Sequence, residues 1–240
     1  MKQQEKIFVI IPSYNNAKTI KSVCNKITKK YVNEIIVIDD GSSDETRSVL
    51  KKIGVTYISH KKNLGYGASQ KSGYKMALKK GADLVILLHS DGQHDPKYIP
   101  LLIKTLKEKN LDIVLGSRLK SFSYAFKNKM PLYKIISNRI LSRIANIILG
   151  LSLSEYHTGY RVFKRRVLEN LNFAKLSNSF IFDQEILLTA HRHKFKIGEA
   201  QTSCIYNADS SSIGFKKSLK YGLAVAAGLM RYVINKNIYY

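Results

Sequence analysis

Tryptophan is absent from this chain, cysteine occurs only twice, and acidic residues are few. The two cysteines, Cys24 and Cys204, lie far apart without the spacing of metal ligands, which favours a reducing compartment. No run approaches the roughly 18 uncharged apolar residues of a spanning helix, so we expect no membrane span. The charged first residues run directly into an apolar segment, and no signal peptide is expected. These absences predict a cytoplasmic protein.

The shortage of acids leaves a net charge of +23, from 40 Lys and Arg against 17 Asp and Glu. Nucleic acid can use such a charge through counterion release, and an anionic membrane surface can use it at about 1 kcal/mol per nearby basic residue. Two stretches combine basic residues with an apolar stripe, which favours the membrane, although either stripe can equally well pack onto the domain core. The stripes are Leu132, Ile135, Ile136, Ile140, Ile144, Ile147 and Ile148 in the first stretch, and Phe215, Leu219, Leu223, Ala226, Met230 and Val233 in the second.

Apolar runs alternate with amphipathic segments along most of the chain, which predicts an α/β protein with a mostly parallel sheet and helices on both faces. We expect one domain over residues 1–212, followed over 213–240 by a basic amphipathic helix that can face a membrane. The basic and aromatic segment 118–131 is expected to be a lid loop. Strands are predicted near 7–11, 34–38, 55–59, 84–89, 112–117, 155–164 and 197–205, and helices near 17–29, 44–52, 67–79, 97–108, 131–149, 182–193 and 213–235.

Polar side chains follow three of the predicted strands, in the blocks 12–16, 39–44 and 89–95. Ligands of open α/β sheets bind at the carboxyl ends of the strands. Oxygen donors such as Asp91 and Gln93 suit Mg²⁺ or Mn²⁺ together with substrate phosphates. Taken alone, the third block is explained equally well as a polar turn leading into a helix at Asp95-Pro96.

Several blocks in order resemble the signatures of the family 2 glycosyltransferases, and specifically the polyprenyl- (dolichyl-) phosphate mannosyl- and glucosyltransferase branch. They are Ile-Pro-Ser-Tyr-Asn-Asn, Ile-Asp-Asp-Gly-Ser-Ser-Asp, Asn-Leu-Gly-Tyr-Gly-Ala, His-Ser-Asp-Gly-Gln-His-Asp-Pro, Gly-Ser-Arg, Tyr-His-Thr-Gly-Tyr-Arg and Phe-Asp-Gln-Glu, within residues 7–205. The resemblance implies a GT-A fold and inverting transfer of a hexose from a GDP- or UDP-sugar to a polyprenyl phosphate. Together with the two basic amphipathic stretches, it predicts a peripheral position at the inner face of a membrane, with or without a separate membrane partner.

The same resemblance implies roles for individual residues. The nucleotide sugar is assigned to Pro12, Tyr14, Asp39, Asp40, Gly65 and Asp91. A divalent cation, Mn²⁺ or Mg²⁺, is assigned to Asp91 and Gln93, while His89 stands where the family has the first acid of Asp-x-Asp. A histidine there favours Mn²⁺, or does not bind metal at all. Arg118 and Arg161 are assigned to the phosphates, and Asp183 to the acceptor side, where the neighbouring Glu185 does not share its helix face.

Two other functions remain open at this point. A family 2 transferase that acts on a glycan hydroxyl has the same fold but needs a carboxylate to remove a proton. A basic nucleic-acid-binding protein is disfavoured, because no binding motif is recognised and the strand-end carboxylates repel a polyanion. A dinucleotide-binding dehydrogenase is excluded, since the segment from Gly65 lacks the third glycine of the fingerprint.

Overall fold

The computed structural model describes residues 4–119, 130–204 and 215–235, with the side chains of 215–217 excepted. The described strands form one sheet in the order β3-β2-β1-β4-β6-β5-β7. All neighbours pair in parallel except β6, which runs antiparallel to β4 and β5. The predicted mostly parallel α/β sheet is therefore confirmed. The strands are β1 (Ile7–Ser13), β2 (Glu34–Asp39), β3 (Thr56–Ser59), β4 (Leu84–Leu87), β5 (Ile113–Ser117), β6 (Arg161–Lys164) and β7 (Ile197–Gln201).

Helices cover both faces of this sheet. Successive strand residues point to opposite sides, so the apolar side chains of one strand contribute to two cores. Phe8 and Ile10 of β1 belong to the core under one face, and Val9 and Ile11 to the core under the other. The first core also contains residues of α3 (Tyr66–Lys79), α5 (Leu132–Leu149), α6 (Arg165–Asn170), α7 (Phe182–Arg192) and α8 (Phe215–Ile234). The second contains residues of α1 (Ala17–Lys26), α2 (Thr46–Ile53) and α4 (Ile99–Glu108).

The segment 155–164 differs from its prediction as one long strand. Only Arg161–Lys164 is a strand, and the residues before it follow an irregular path. Because β6 runs antiparallel to β4 and β5, it begins at the sheet edge where those two strands end. The irregular residues are therefore brought to the same edge as the loops that follow β1, β2 and β4. Most of the predicted lid, residues 120–129, lies outside the described residues, as does the predicted boundary at residue 212.

The helix α8 packs onto the main domain through a face that does not contain its predicted stripe. Val225, Leu229 and Tyr232 are buried in the core, and the Gln184 side chain of α7 donates a 3.1 Å hydrogen bond to the carbonyl oxygen of Val225. Leu219 and Leu223 of the stripe remain 59% and 66% exposed. No helix in the described ranges is long and apolar enough to cross a bilayer.

The helix α5 has the same two-faced character. Its buried face is formed by Ile135, Ser142, Ala145 and Leu149. Most of its predicted stripe stays accessible, namely Leu132, Ile136, Ile140, Ile144 and Ile147. The stripes of α5 and α8 are thus largely unused by the packing of the described domain.

Candidate active site

A cavity of about 1140 Å³ lies at the carboxyl edge of β1, β2 and β4. Its wall at the sheet edge is polar and includes Tyr14, Asp40, Asp91, Arg118 and Asp183. Its opposite wall is formed by α5 and α8 and is mostly apolar, with Ile136, Ile140, Leu141, Leu219, Leu223 and Ala226 among the lining residues. One continuous space therefore joins a polar strand edge to an apolar groove between two helices.

Asp40 and Asp39 occupy different environments although they are adjacent at the end of β2. Asp40 lines the cavity and accepts hydrogen bonds from the His60 ring at 2.6 Å, the Leu64 amide at 3.0 Å and the Gly65 amide at 2.9 Å. A carboxylate has about four acceptor positions, so Asp40 keeps about one for a ligand. Its neighbours hold its orientation fixed before any ligand arrives.

Asp39 does not line the cavity. It is fully buried and accepts hydrogen bonds from the Ser42 amide, the Arg47 guanidinium and the Ser59 hydroxyl at 3.0–3.2 Å. These bonds connect the ends of β2 and β3 with the start of α2. Hydrogen bonds from the chain itself thus hold the Asp39 carboxylate away from the cavity wall, and its contact with the nucleotide stays a prediction.

Pro12 and Tyr14 line the cavity at the end of β1, where the Pro12 carbonyl accepts a hydrogen bond from the Ser90 hydroxyl. Gly65 also lines the cavity, but a glycine is needed at this position because another part of the chain packs against it. Gly65 has a φ of +103°, and a Cβ there would overlap the backbone oxygen of Asn178. The turn before α3 is thus shaped by close packing against the loop before α7.

The residues assigned to a metal supply few ligands. Asp91 lines the cavity, and its Oδ1 accepts the Gln93 amide at 3.0 Å. The Oε1 of Gln93, a residue that is mostly buried, accepts a bond from the Cys204 thiol at 3.7 Å. Within the described ranges no three His, Cys, Asp or Glu side chains come together as a metal site. One carboxylate fits Mg²⁺ or Mn²⁺ only where phosphates and water supply the remaining ligands.

His89 is joined to Asp183 across the cavity wall through Tyr66. The Nε2 of His89 lies 2.5 Å from the Tyr66 hydroxyl, which lies 3.3 Å from Oδ2 of Asp183. The Oδ1 of Asp183 accepts a 2.8 Å hydrogen bond from the side chain of Gln70. Burial, together with the negative charge of Asp183, raises the pKa of Tyr66 well above its usual value, so the hydroxyl keeps its proton. Glu185 instead accepts the Ser177 amide.

Arg161 lies beneath the cavity rather than on its wall. It is fully buried, and its Nε, Nη1 and Nη2 donate to the carbonyl oxygens of Thr158, Asp183 and Tyr156 at 2.7, 2.6 and 3.1 Å. Its nearest carboxylate oxygen, Oδ1 of Asp183, is 3.7 Å away. The guanidinium holds the irregular segment before β6 against the start of α7. Its contact with phosphate stays a prediction.

Arg118 does line the cavity, in an ion pair with the buried carboxylate of Glu155. Its Nε lies 2.9 Å from Oε1 of Glu155, and its Nη2 donates a 2.9 Å bond to the carbonyl of His157. Burial lowers the pKa of His157 to about 4, so this ring is neutral near pH 7. Its Nδ1 lies 3.2 Å from the Tyr221 hydroxyl of α8.

The family model described as Glycosyl transferase family 2 matches residues 8–171, which is more than half of the chain. The chain belongs to glycosyltransferase family 2. The resemblance of the ordered sequence blocks and the assignment as an enzyme are thereby confirmed.

Two curated relatives extend the similarity of this family 2 transferase. A UDP-N-acetylglucosamine--dolichyl-phosphate N-acetylglucosaminyltransferase of Methanococcus voltae is 32% identical over 233 aligned positions, covering 88% of this chain and 92% of that one. An uncharacterized protein of Methanocaldococcus jannaschii is 31% identical over 211 positions, covering 88% and 86%.

Among solved structures, glucosyl-3-phosphoglycerate synthase of Mycobacterium tuberculosis in complex with Mn²⁺, UDP and phosphoglyceric acid is similar in fold. Its TM-score is 0.73 at 18% identity, covering 95% of this chain and 78% of that one. The likeness confirms the GT-A fold of the family 2 transferase.

Two cavity-wall residues of this transferase, and one residue behind the wall, were not singled out from the sequence as site residues. Tyr66 and Phe180 line the cavity, with their rings stacked at 5.1 Å between centroids, and His60 supports Asp40 from behind. Tyr66 stands inside the quoted Asn-Leu-Gly-Tyr-Gly-Ala block, which was the available signal. Phe180 and His60 stand outside every block and carry no such signal.

Proposed function

We propose that this family 2 glycosyltransferase transfers a sugar from a nucleotide sugar to a polyprenyl phosphate at an anionic membrane surface. The main support for this proposal is that the cavity runs without a break from the polar strand edge to the apolar groove between α5 and α8. A sugar and its nucleotide need the polar part only. A long apolar chain on the acceptor accounts for the groove, because burying apolar surface contributes about 25 cal/mol per Å².

The donor is held at the polar end in this proposal. Asp40 takes a hydroxyl or N–H of the nucleoside with its remaining acceptor position, and Tyr14 and Pro12 form the adjacent wall. The name of the Methanococcus voltae relative makes UDP-N-acetylglucosamine the first donor to test, ahead of the hexose donors UDP-glucose and GDP-mannose.

The acceptor phosphate lies near Arg118 in this proposal, at the junction of the polar and apolar parts. Arg118 brings positive charge to the cavity wall, where its Nε and Nη2 already bind Glu155 and keep the guanidinium in place, so it attracts the phosphate through its charge. The phosphate is already ionised, so no general base has to create the nucleophile. Asp183 then serves to position groups around the reacting atoms.

The reaction is a single in-line displacement with inversion. An acceptor phosphate oxygen forms a bond to the anomeric carbon while the bond from that carbon to the nucleoside diphosphate breaks, and the electron pair leaves with the diphosphate. A divalent cation, with Asp91 as its protein carboxylate, supplies Lewis-acid stabilisation of that leaving group when bound. Arg118 adds positive charge beside the same reacting phosphates.

The exposed stripes of α5 and α8 support a peripheral position on the cytoplasmic face of a membrane. They flank the apolar groove, so a bilayer in contact with them brings the lipid acceptor directly to the cavity. The net charge of +23 adds electrostatic attraction to anionic headgroups. A separate membrane partner is not needed for this contact.

The test is transfer of radiolabelled sugar from each of the three donors to polyprenyl phosphate in vesicles, with Mn²⁺, Mg²⁺ or a chelator present. We expect an organic-soluble product that releases its sugar in mild acid, formed with one donor and lost with the chelator. Asp40→Asn, which weakens donor binding, should slow transfer, whereas Lys104→Ala on the far side of α4 should not. Transfer to a water-soluble glycan hydroxyl, with none to the lipid, would favour the alternative acceptor and contradict the proposal.

A further inference from the structure

Phe180 is a large apolar side chain that the fold leaves half exposed on the cavity wall. It lies in the loop before α7, lines the cavity and is 51% exposed. Its ring is stacked on the ring of Tyr66, with 5.1 Å between centroids and 25° between planes. Covering apolar surface is favourable by about 25 cal/mol per Å², so a ligand in the cavity gains affinity by lying against this ring.

The loop that carries Phe180 is held closely against the turn before α3. The Gly67 amide donates a 2.8 Å hydrogen bond to the carbonyl oxygen of Asn178, and the Lys71 ammonium donates a 2.9 Å bond to the side-chain oxygen of Asn178. A Cβ at Gly65 or at Gly67 would overlap backbone oxygens of this loop. The backbone that presents Phe180 is therefore fixed before any ligand arrives.

The stacked pair lies between the two ends of the proposed reaction. The Gly65 amide, next to Tyr66 in the chain, donates to Asp40, which holds the nucleoside in the proposed function. The Tyr66 hydroxyl in turn lies 3.3 Å from Oδ2 of Asp183, on the acceptor side. The sugar of a nucleotide sugar has to lie between its nucleoside and the acceptor, because the acceptor attacks the carbon that carries the diphosphate. The stacked pair is thus placed where the sugar has to lie.

We propose that Phe180, supported by Tyr66, binds the sugar ring of the donor through the apolar face of the pyranose. The C–H groups of that face can cover an aromatic ring while the hydroxyls at the rim stay free for polar groups of the wall. Ligand sites commonly combine aromatic side chains with a few polar groups that fix orientation. The inference rests on the proposed function for the nucleoside at Asp40, and it adds a residue that contacts the sugar.

The test compares the affinities for a sugar nucleotide and for its nucleoside diphosphate, by titration calorimetry with Mn²⁺ and without acceptor. The pairs are UDP-N-acetylglucosamine and UDP, UDP-glucose and UDP, and GDP-mannose and GDP. Phe180→Ala should raise the Kd of the bound sugar nucleotide about tenfold and leave the Kd of the diphosphate unchanged. Tenfold is about 1.4 kcal/mol, which corresponds to about 55 Å² of apolar contact. Phe180→Tyr keeps the ring and should bind like the natural protein.

A control variant and two contrary outcomes complete the test. Tyr31→Ala removes an aromatic side chain that is 40% exposed and does not line the cavity, so it should change neither Kd. Equal weakening of both ligands in Phe180→Ala would place the ring against the base and overturn the inference. Unchanged affinity for both would also overturn it, and a raised KM for polyprenyl phosphate would then assign the ring to the lipid. Because the titration contains no acceptor, its failure is distinguishable from failure of the proposed function, which shows as absent transfer to polyprenyl phosphate.

Discussion

Replacement of Arg161 by lysine tests whether this residue supports the cavity from below or contacts phosphate within it. The guanidinium donates from three nitrogens to three buried carbonyl oxygens, those of Tyr156, Thr158 and Asp183. An ammonium group has its donors on one nitrogen and cannot satisfy carbonyls arranged around a planar fork. Arg161→Lys keeps the charge and removes the fork.

The magnitude follows from the carbonyls that lose their donor. Two unpaired buried carbonyls at about 2 kcal/mol each give a loss of about 4 kcal/mol in the free energy of unfolding. For a chain of this size, each kcal/mol lowers Tm by about 2–4 °C, so we expect a decrease of about 8–16 °C. This is a large share of the roughly 5–15 kcal/mol by which proteins are stable.

The assay is urea and thermal unfolding followed by far-ultraviolet circular dichroism. Lys104→Ala is the control, because Lys104 forms an exposed pair with Glu108 at 3.7 Å that contributes about 0.3–0.5 kcal/mol. If Arg161→Lys unfolds together with this control but loses affinity for the acceptor phosphate, the reasoning is refuted. Arg161 would then act in the cavity, as its sequence motif first suggested.

Two further predictions concern the exposed helices and the buried histidine. Leu219→Asp combined with Leu223→Asp should reduce binding to anionic vesicles by at least about 30-fold in a flotation assay, since two half-inserted leucines contribute about 2 kcal/mol or more. Leu101→Asp on α4 is the matched control, and equal losses in both proteins would contradict a lipid-facing surface. Burial lowers the pKa of His157 to about 4 in the folded protein. Below about pH 6.5 the unfolded chain therefore binds more protons at this residue than the folded chain does, so the free energy of unfolding should fall as the pH drops from about 6.5 toward 4. His157→Gln should show a shallower decrease in its urea midpoint over that range, and identical slopes would exclude a role for this group.

The sheet could be predicted from the sequence because buried parallel strands are short, continuous apolar runs. Val85 and Ile86 in β4, for example, are both fully buried, one in each core. The ends of such runs place their loops at one edge, which is why Asp40 and Asp91 were expected together. The antiparallel direction of β6 was missed, since a four-residue strand has no pattern that distinguishes the two pairings.

The positions of Asp39 and Arg161 away from the cavity wall depend on tertiary contacts that no local pattern contains. Asp39 and Asp40 are identical neighbours, yet the groups that occupy Asp39 come from Arg47 and Ser59. Arg161 is enclosed by carbonyls from two separate segments. In α8, apolar residues occupy two faces, and periodicity alone does not say which of them packs on the core.

The reversed strand β6 also affects how this transferase can change over evolution. Leu115 of β5 and Arg161 of β6 are paired neighbours in the sheet although 45 residues separate them along the chain. Everything between them, including α5 and the segment up to Tyr160, is therefore an excursion whose two ends meet at one place. Such an excursion can lengthen at a cost that grows only slowly with its size, or be exchanged for another, while the strands beneath keep their register. The part of the cavity wall that α5 contributes can thus diversify separately from the strand ends on the other wall.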